Sequence, residues 1–83
     1  MNLGGLIGAV IQVFVFLVIA RALGSFFIRD WSTGLPRFLW DVTEPVLSPV
    51  RRIIPPVSGI DFSPLIVIIG LQFINSLVVR SLP

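Results

Sequence analysis

An all-α membrane protein, with two transmembrane helices joined by a kinked amphipathic interfacial segment, is the fold class this sequence predicts. Three observations carry it. The chain of 83 residues is 55% hydrophobic and only 12% charged, with a mean hydropathy of +1.04, whereas a water-soluble domain carries roughly 25% charged residues. Two long runs lack charged side chains, and eight of the ten charges lie between them, in residues 29–61. A soluble helical pair with a greasy core would need polar outer faces that neither run supplies.

The first run extends from Leu3 to Ala20 without a charge and resumes from Ala22 to Ile28 after Arg21. Residues 3–28 thus form a helix candidate of about 26 residues, roughly 39 Å long and able to span a bilayer with tilt. A secretory signal peptide carries its positive charge ahead of the apolar run, so the late Arg21 makes this segment read as retained. The second run, Phe62 to Val79, is about 18 residues or roughly 27 Å long, and Arg80 closes the span 62–80. Asp61 or Ser63 can cap its start, Pro64 falls in its first turn, and Pro83 lies beyond its end.

Between the spans, Leu35, Phe38, Leu39, Val42, Val46, Val50 and Ile53 recur at helical intervals. Arg37, Asp41, Glu44, Ser48, Arg51 and Arg52 fall largely between them. Residues 35–54 therefore read as an amphipathic segment lying in the membrane interface, with Trp31 and Trp40 at headgroup level. Pro45 and Pro49 each lack an amide donor and obstruct the preceding turn. They predict a short helix from Pro36 to Thr43, a kink or restart capped by Thr43, and a second piece ending before Pro55. Pro55-Pro56 predicts an extended stretch, and Val57-Ser58-Gly59-Ile60 a turn with Gly59 at positive φ. A re-entrant loop is the competing geometry, but it would place charges at membrane depth. All of residues 1–83 form one membrane domain in this reading.

Composition also bounds the chemistry. The charges are six Arg, three Asp and one Glu, with no Lys, His or Cys. That removes disulfides, structural zinc by Cys and His, axial haem ligation by His, and the common His- or Cys-based catalytic constellations, so no cofactor is expected. The pI near 11.3 rests on a net charge of +2, too small and scattered for tracking nucleic-acid phosphates. An enzyme of the membrane surface would have to use Asp41, Glu44 or Asp61, all at positions with structural uses.

Arg21 is the side chain most in need of a partner. It sits about seven residues, or roughly 10 Å, inside the first span, a distance that snorkelling makes good only in part. Asp30, Asp41, Glu44 and Asp61 are the available acids, a lipid phosphate is another partner, and Arg29 competes for Asp30. Arg21, Arg51, Arg52 and Arg80 are the expected membrane-anchoring or ion-pairing residues, with anionic lipids as partners. Four Arg in the joining segment against Arg80 beyond it favour a cytoplasmic loop.

Gln12 lies mid-span in the first helix, and Gln72, Asn75 and Ser76 share one side of the second. Hydrogen bonding between helices is the cheapest way to satisfy them in hydrocarbon. Gly4 and Gly8 form one Gly-x-x-x-Gly unit that lets a neighbouring helix approach, or are simply glycines tolerated near a helix start. These six residues mark the expected helix-packing or partner face.

The stretch from Thr43-Glu44-Pro45-Val46-Leu47-Ser48-Pro49 through Val50-Arg51-Arg52-Ile53-Ile54-Pro55-Pro56, followed by Gly59-Ile60-Asp61-Phe62-Ser63-Pro64-Leu65, resembles the signature of the YggT family of small membrane proteins. Ala20-Arg21-Ala22-Leu23 with Ser25-Phe26 is similar to the end of that family's first helix. Phe26 and Leu35-Pro36 stand where the family usually has a Trp and an Asn-Pro. The resemblance implies no common reaction. Family members are associated with cell-division gene neighbourhoods, osmotic tolerance and, among plastid relatives, photosynthetic membrane organisation or cytochrome assembly.

Many members look like two such units, which implies that this single unit completes its packing with another copy of itself or with larger integral membrane subunits. The leading expectation is a noncatalytic structural or assembly protein, a small accessory subunit of a photosynthetic or respiratory complex in a cell inner or photosynthetic membrane. The alternative is a homo-oligomeric channel or transporter component with Arg21, Gln12 and Asn75 along its pathway.

Overall fold

In the computed structural model, which describes residues 2–81, three helices follow one another: α1 (Leu3–Gly24), α2 (Gly34–Ile53) and α3 (Ser63–Ser81). The side chain of Asn2 caps α1 by accepting from the Gly5 amide at 2.7 Å. α1 stops four residues short of the expected Ile28. Ser25 Oγ donates to the Ala22 carbonyl, and the Phe26 and Phe27 amides turn back to Leu23 and Gly24. The last turn thus tightens as a side chain takes a carbonyl that the next helical amide would use.

α2 corrects the expectation of a break. It runs unbroken through Pro45 and Pro49, and Thr43 sits inside it rather than capping a restart. The amides missing at residues 45 and 49 release the carbonyls of Asp41 and Pro45, four residues earlier. Asp41, Pro45 and Pro49 all lie on the exposed side of the helix, whereas Leu39, Thr43 and Leu47 are buried. The freed acceptors therefore face solvent or headgroups, and the buried face packs continuously.

Between α2 and α3 the chain reverses at Val57–Ile60, which exchange two backbone hydrogen bonds of 3.0 and 2.9 Å. Gly59 has φ +79° as expected, and Ser58 shares the left-handed region at +53°, the pairing a two-residue primed turn demands. Asp61 Oδ1 then accepts from both the amide and the hydroxyl of Ser63, fixing the entrance of α3 with Pro64 in its first turn.

α1 and α3 pack antiparallel: Gln12 meets Gln72, Gly8 meets Asn75, and Val18 and Val67 share the core. α2 lies across the Arg21 end of this hairpin and contributes Leu47 to that core, with Phe14, Val50, Ile68 and Leu71 around it. The core is small. Only 17% of the apolar window of either long helix is buried, and both helices are long and apolar enough to cross a membrane. Phe16, Ile69 and Phe73 point outward at 74%, 58% and 65% exposure. A core helix of a soluble protein hides such side chains inside the protein, so a bilayer is the solvent this surface fits.

Candidate functional site

The last turn of α1 brings Arg21 under α2, where it is 6% exposed. Its Nη1 donates to Thr43 Oγ1 at 2.9 Å, its Nη2 to Glu44 Oε2 at 2.5 Å, and its guanidinium carbon lies 4.0 Å from the centre of the Trp40 ring. Thr43 donates its own hydroxyl proton to the Leu39 carbonyl, so its oxygen presents a lone pair to the arginine. Trp40, Thr43 and Glu44 stand at helical spacing on one side of α2, and together they receive a single cation.

Glu44 passes the interaction onward. Its Oε1 accepts from Arg51 Nη1 at 2.7 Å, and Arg51 Nε donates at 3.2 Å to Asp61 Oδ2, whose other oxygen caps α3. Arg21, Glu44, Arg51 and Asp61 therefore form an alternating charge chain that ties the end of α1, the middle and end of α2, and the start of α3 together. Partial burial pushes the Glu44 carboxyl up, but hydrogen bonds from Arg21 and Arg51 and their charges outweigh it and hold the group below its usual range. At Asp61 burial is likewise overcome by the Ser63 hydrogen bonds and Arg51. Arg51 is pushed up: its desolvation is outweighed by Glu44 and Asp61. The carboxylates are thereby held ionised at neutral pH, which suits ion pairing and opposes a role as a proton-carrying acid.

Of the four acids available to Arg21, Glu44 is the one that meets it. Asp30 pairs with neither Arg21 nor Arg29; it accepts from the Ser32 hydroxyl and amide, which hold its carboxyl below the usual range. Asp41 pairs with Arg37 four residues earlier on the exposed side. Arg51 joins the charge chain, Arg52 reaches the Ser48 hydroxyl at 3.5 Å, and Arg80 is exposed on the last turn of α3. The roles of Thr43 and Trp40 have no signal in the sequence, because they depend on how α2 docks against α1. Among the described residues, no three His, Cys, Asp or Glu side chains gather as a metal site would require.

Midway along the hairpin, the carboxamides of Gln12 and Gln72 exchange hydrogen bonds of 2.9 and 3.3 Å, both on exposed residues. Asn75 is half-buried, and its Oδ1 is buried without a hydrogen-bond partner among the described residues. That oxygen would lie 3.1 Å from a Cβ at Gly8, so Gly8 admits α3 of the same chain. Gly4 is buried in the same crossing, and Ser76 is exposed. An open groove of about 470 Å³ runs between the helices past Gly4, Gly8, Gln12 and Asn75.

A family model described as CCB3/YggT matches residues 1–82. The chain belongs to the CCB3/YggT family. Its relatives include an uncharacterized protein of Vibrio alginolyticus, encoded in the region 3′ of proC, which is 37% identical over 75% of this chain and 33% of its own length. The uncharacterized YggT of Escherichia coli K12 is 30% identical over 88% of this chain and 39% of its own. The chloroplast protein CCB3 of Arabidopsis thaliana, whose name refers to cofactor assembly of complex C, is 30% identical over 90% of this chain and 44% of its own. The chain thus spans less than half the length of these CCB3/YggT relatives. No solved structure matches it.

Proposed function

We propose that this CCB3/YggT chain is a noncatalytic membrane protein that supports the assembly of a larger photosynthetic or respiratory membrane complex, or serves in it as a small accessory subunit. The observation that carries the reading is the outward placement of the Gln12–Gln72 pair. Carboxamides exposed at mid-span keep donors and acceptors that hydrocarbon cannot satisfy, and a neighbouring helix can. The clasp at the Arg21 end supports the same reading, because its ionised groups are already engaged in holding the helices. The name of the Arabidopsis relative supports an assembly role. In this reading both long helices span a cell inner or photosynthetic membrane, the loop lies on the cytoplasmic side, and Gly4, Gly8, Gln12, Gln72, Asn75 and Ser76 form the packing face.

Solubilisation in mild detergent, followed by identification of co-purifying proteins, tests the proposal. A specific membrane subunit or a second copy that crosslinks through positions 12, 72 or 75 is the expected result. An isolated monomer without such crosslinks would overturn it. Solute flux in reconstituted vesicles that disappears on Arg21→Ala would favour a channel instead.

A further inference from the structure

The Gln12–Gln72 pair leaves part of its hydrogen-bonding capacity unused. A carboxamide carries two N–H donors and an oxygen with two lone pairs. Gln12 Nε2 donates to Gln72 Oε1, and Gln72 Nε2 donates back to Gln12 Oε1, so each side chain keeps one N–H and one lone pair. Both residues are exposed, and Gln72 is the central residue of α3, where hydrocarbon offers no water to take these groups. The pair is uncharged and presents donors and acceptors outward in equal number. A cationic side chain brings donors alone, a carboxylate brings acceptors alone, and helical backbone is already bonded within its own segment. A second carboxamide pair brings both.

The chain beside this pair leaves room for a close approach. Gly4 is buried and Gly8 packs against Asn75, so both are spent inside the hairpin. One residue further on, Gly5 and Ala9 are exposed and stand with Gln12 at i, i+4 and i+7, on a single side of α1. All three line the groove of about 470 Å³. Small side chains there let another helix come near enough for the carboxamides to reach it.

We infer that the neighbour at this level is a second copy of the chain, related by a two-fold axis along the membrane normal, with α1 facing α1 across Gly5 and Ala9 and the two Gln12–Gln72 pairs opposed. The inference rests on the association proposed above and names its partner. Two-fold symmetry sets a surface against its own image, which suits a surface whose groups attract their like. The carboxamide pair meets that condition, because each free N–H finds a free lone pair on the counterpart. The direction of the axis follows from Gly5 and Ala9: they lie to one side of the Gln12 level, and they meet their own images only when both copies of α1 run the same way.

The chain contains no Cys, so a single introduced thiol reports contact with its own image. Ala9→Cys lies on the inferred contact, whereas Val10→Cys is also at an exposed position but points elsewhere. In membranes carrying the full chain, oxidation by copper phenanthroline should join Ala9→Cys into a disulfide-linked homodimer about tenfold faster than Val10→Cys, since the two side chains differ by about 100° around the helix. Adding Gln12→Leu and Gln72→Leu to Ala9→Cys should slow the joining by about tenfold, the effect of losing more than one hydrogen bond between membrane helices.

Equal rates at residues 9 and 10 overturn the second copy as partner, as does a rate that the two Leu replacements leave unchanged. A photocrosslinking side chain at residue 9 separates this outcome from failure of the association itself. Capture of a different membrane subunit, with no homodimer, overturns the second copy and leaves the association standing; capture of nothing overturns both. Should the variant with both Leu replacements fail to fold, the comparison of Ala9→Cys with Val10→Cys decides in any case.

Discussion

The Arg21 end of the α1–α3 hairpin and its Gln12 level at mid-span treat their polar groups in opposite ways. At the Arg21 end, each guanidinium or carboxylate of the charge chain meets an opposite charge within the same chain, and Thr43 and Trp40 complete the shell of Arg21. At the Gln12 level and beyond it, the polar groups are neutral, two of them meet each other on the outer surface, and Asn75 Oδ1 is buried without a partner among the described residues. Charges in or near hydrocarbon are so costly that they have to be settled during folding. Neutral carboxamides are cheap enough to be left for a neighbour. The difference assigns architecture to the Arg21 end and, in our proposal, association to the Gln12 level.

Breaking the clasp should have the largest effect. Glu44→Ala leaves Arg21 buried without its counter-ion, and loss of one partner of a buried pair costs about 3–5 kcal/mol; unfolding in detergent mixtures by circular dichroism should show it. Arg21→Met, which removes the buried charge itself, should cost less than Glu44→Ala, and a milder Glu44→Ala would show that the pair is well solvated. Thr43→Val should follow at about 1.5–3 kcal/mol, because it removes a hydrogen bond to a charged donor while keeping shape.

Acid probes the same end without mutation. The Glu44 and Asp61 carboxyls are held below their unfolded values, so their contribution is fully present above the unfolded-state carboxylate range and is lost as pH falls through the lower folded values. Stability measured from neutral pH downward should therefore decline below the ordinary carboxylate range, and Glu44→Gln should flatten the decline. A stability independent of pH in the unaltered chain would contradict the clasp.

The smaller effects sharpen the other side of the comparison. Gln12→Leu should lower the stability of the isolated chain by only about 0.6 kcal/mol, the average for a polar pair between membrane helices. Arg37→Ala should change it by less than about 0.5 kcal/mol, since its partner Asp41 is an exposed i, i+4 neighbour. Detergent unfolding checks both.

The two apolar helices, their antiparallel return and the entrance of α3 at Asp61 are legible in the sequence, because length without charge and local capping chemistry determine them. The continuity of α2 is not. Pro45 and Pro49 are helix breakers by local rules, and only their shared position on the outer face, opposite Leu39, Thr43 and Leu47, makes the lost hydrogen bonds tolerable. The sequence narrows the partner of Arg21 to four acids, but the choice of Glu44, and of Thr43 and Trp40 beside it, follows from the docking of α2. Gly8 reads as an invitation to a foreign helix and is used first within the chain, against Asn75, because the hairpin crosses at that point.

The contrast between a self-contained Arg21 end and a partner-seeking mid-span level is tested most directly by purifying the unaltered chain and the Gln12→Leu, Gln72→Leu double variant side by side in mild detergent. The unaltered chain should carry a second membrane subunit or copy. The double variant should lose that partner while its helicity and its resistance to unfolding stay close to those of the unaltered chain. A double variant that retains the same partner, or an unaltered chain that elutes alone, would contradict the account.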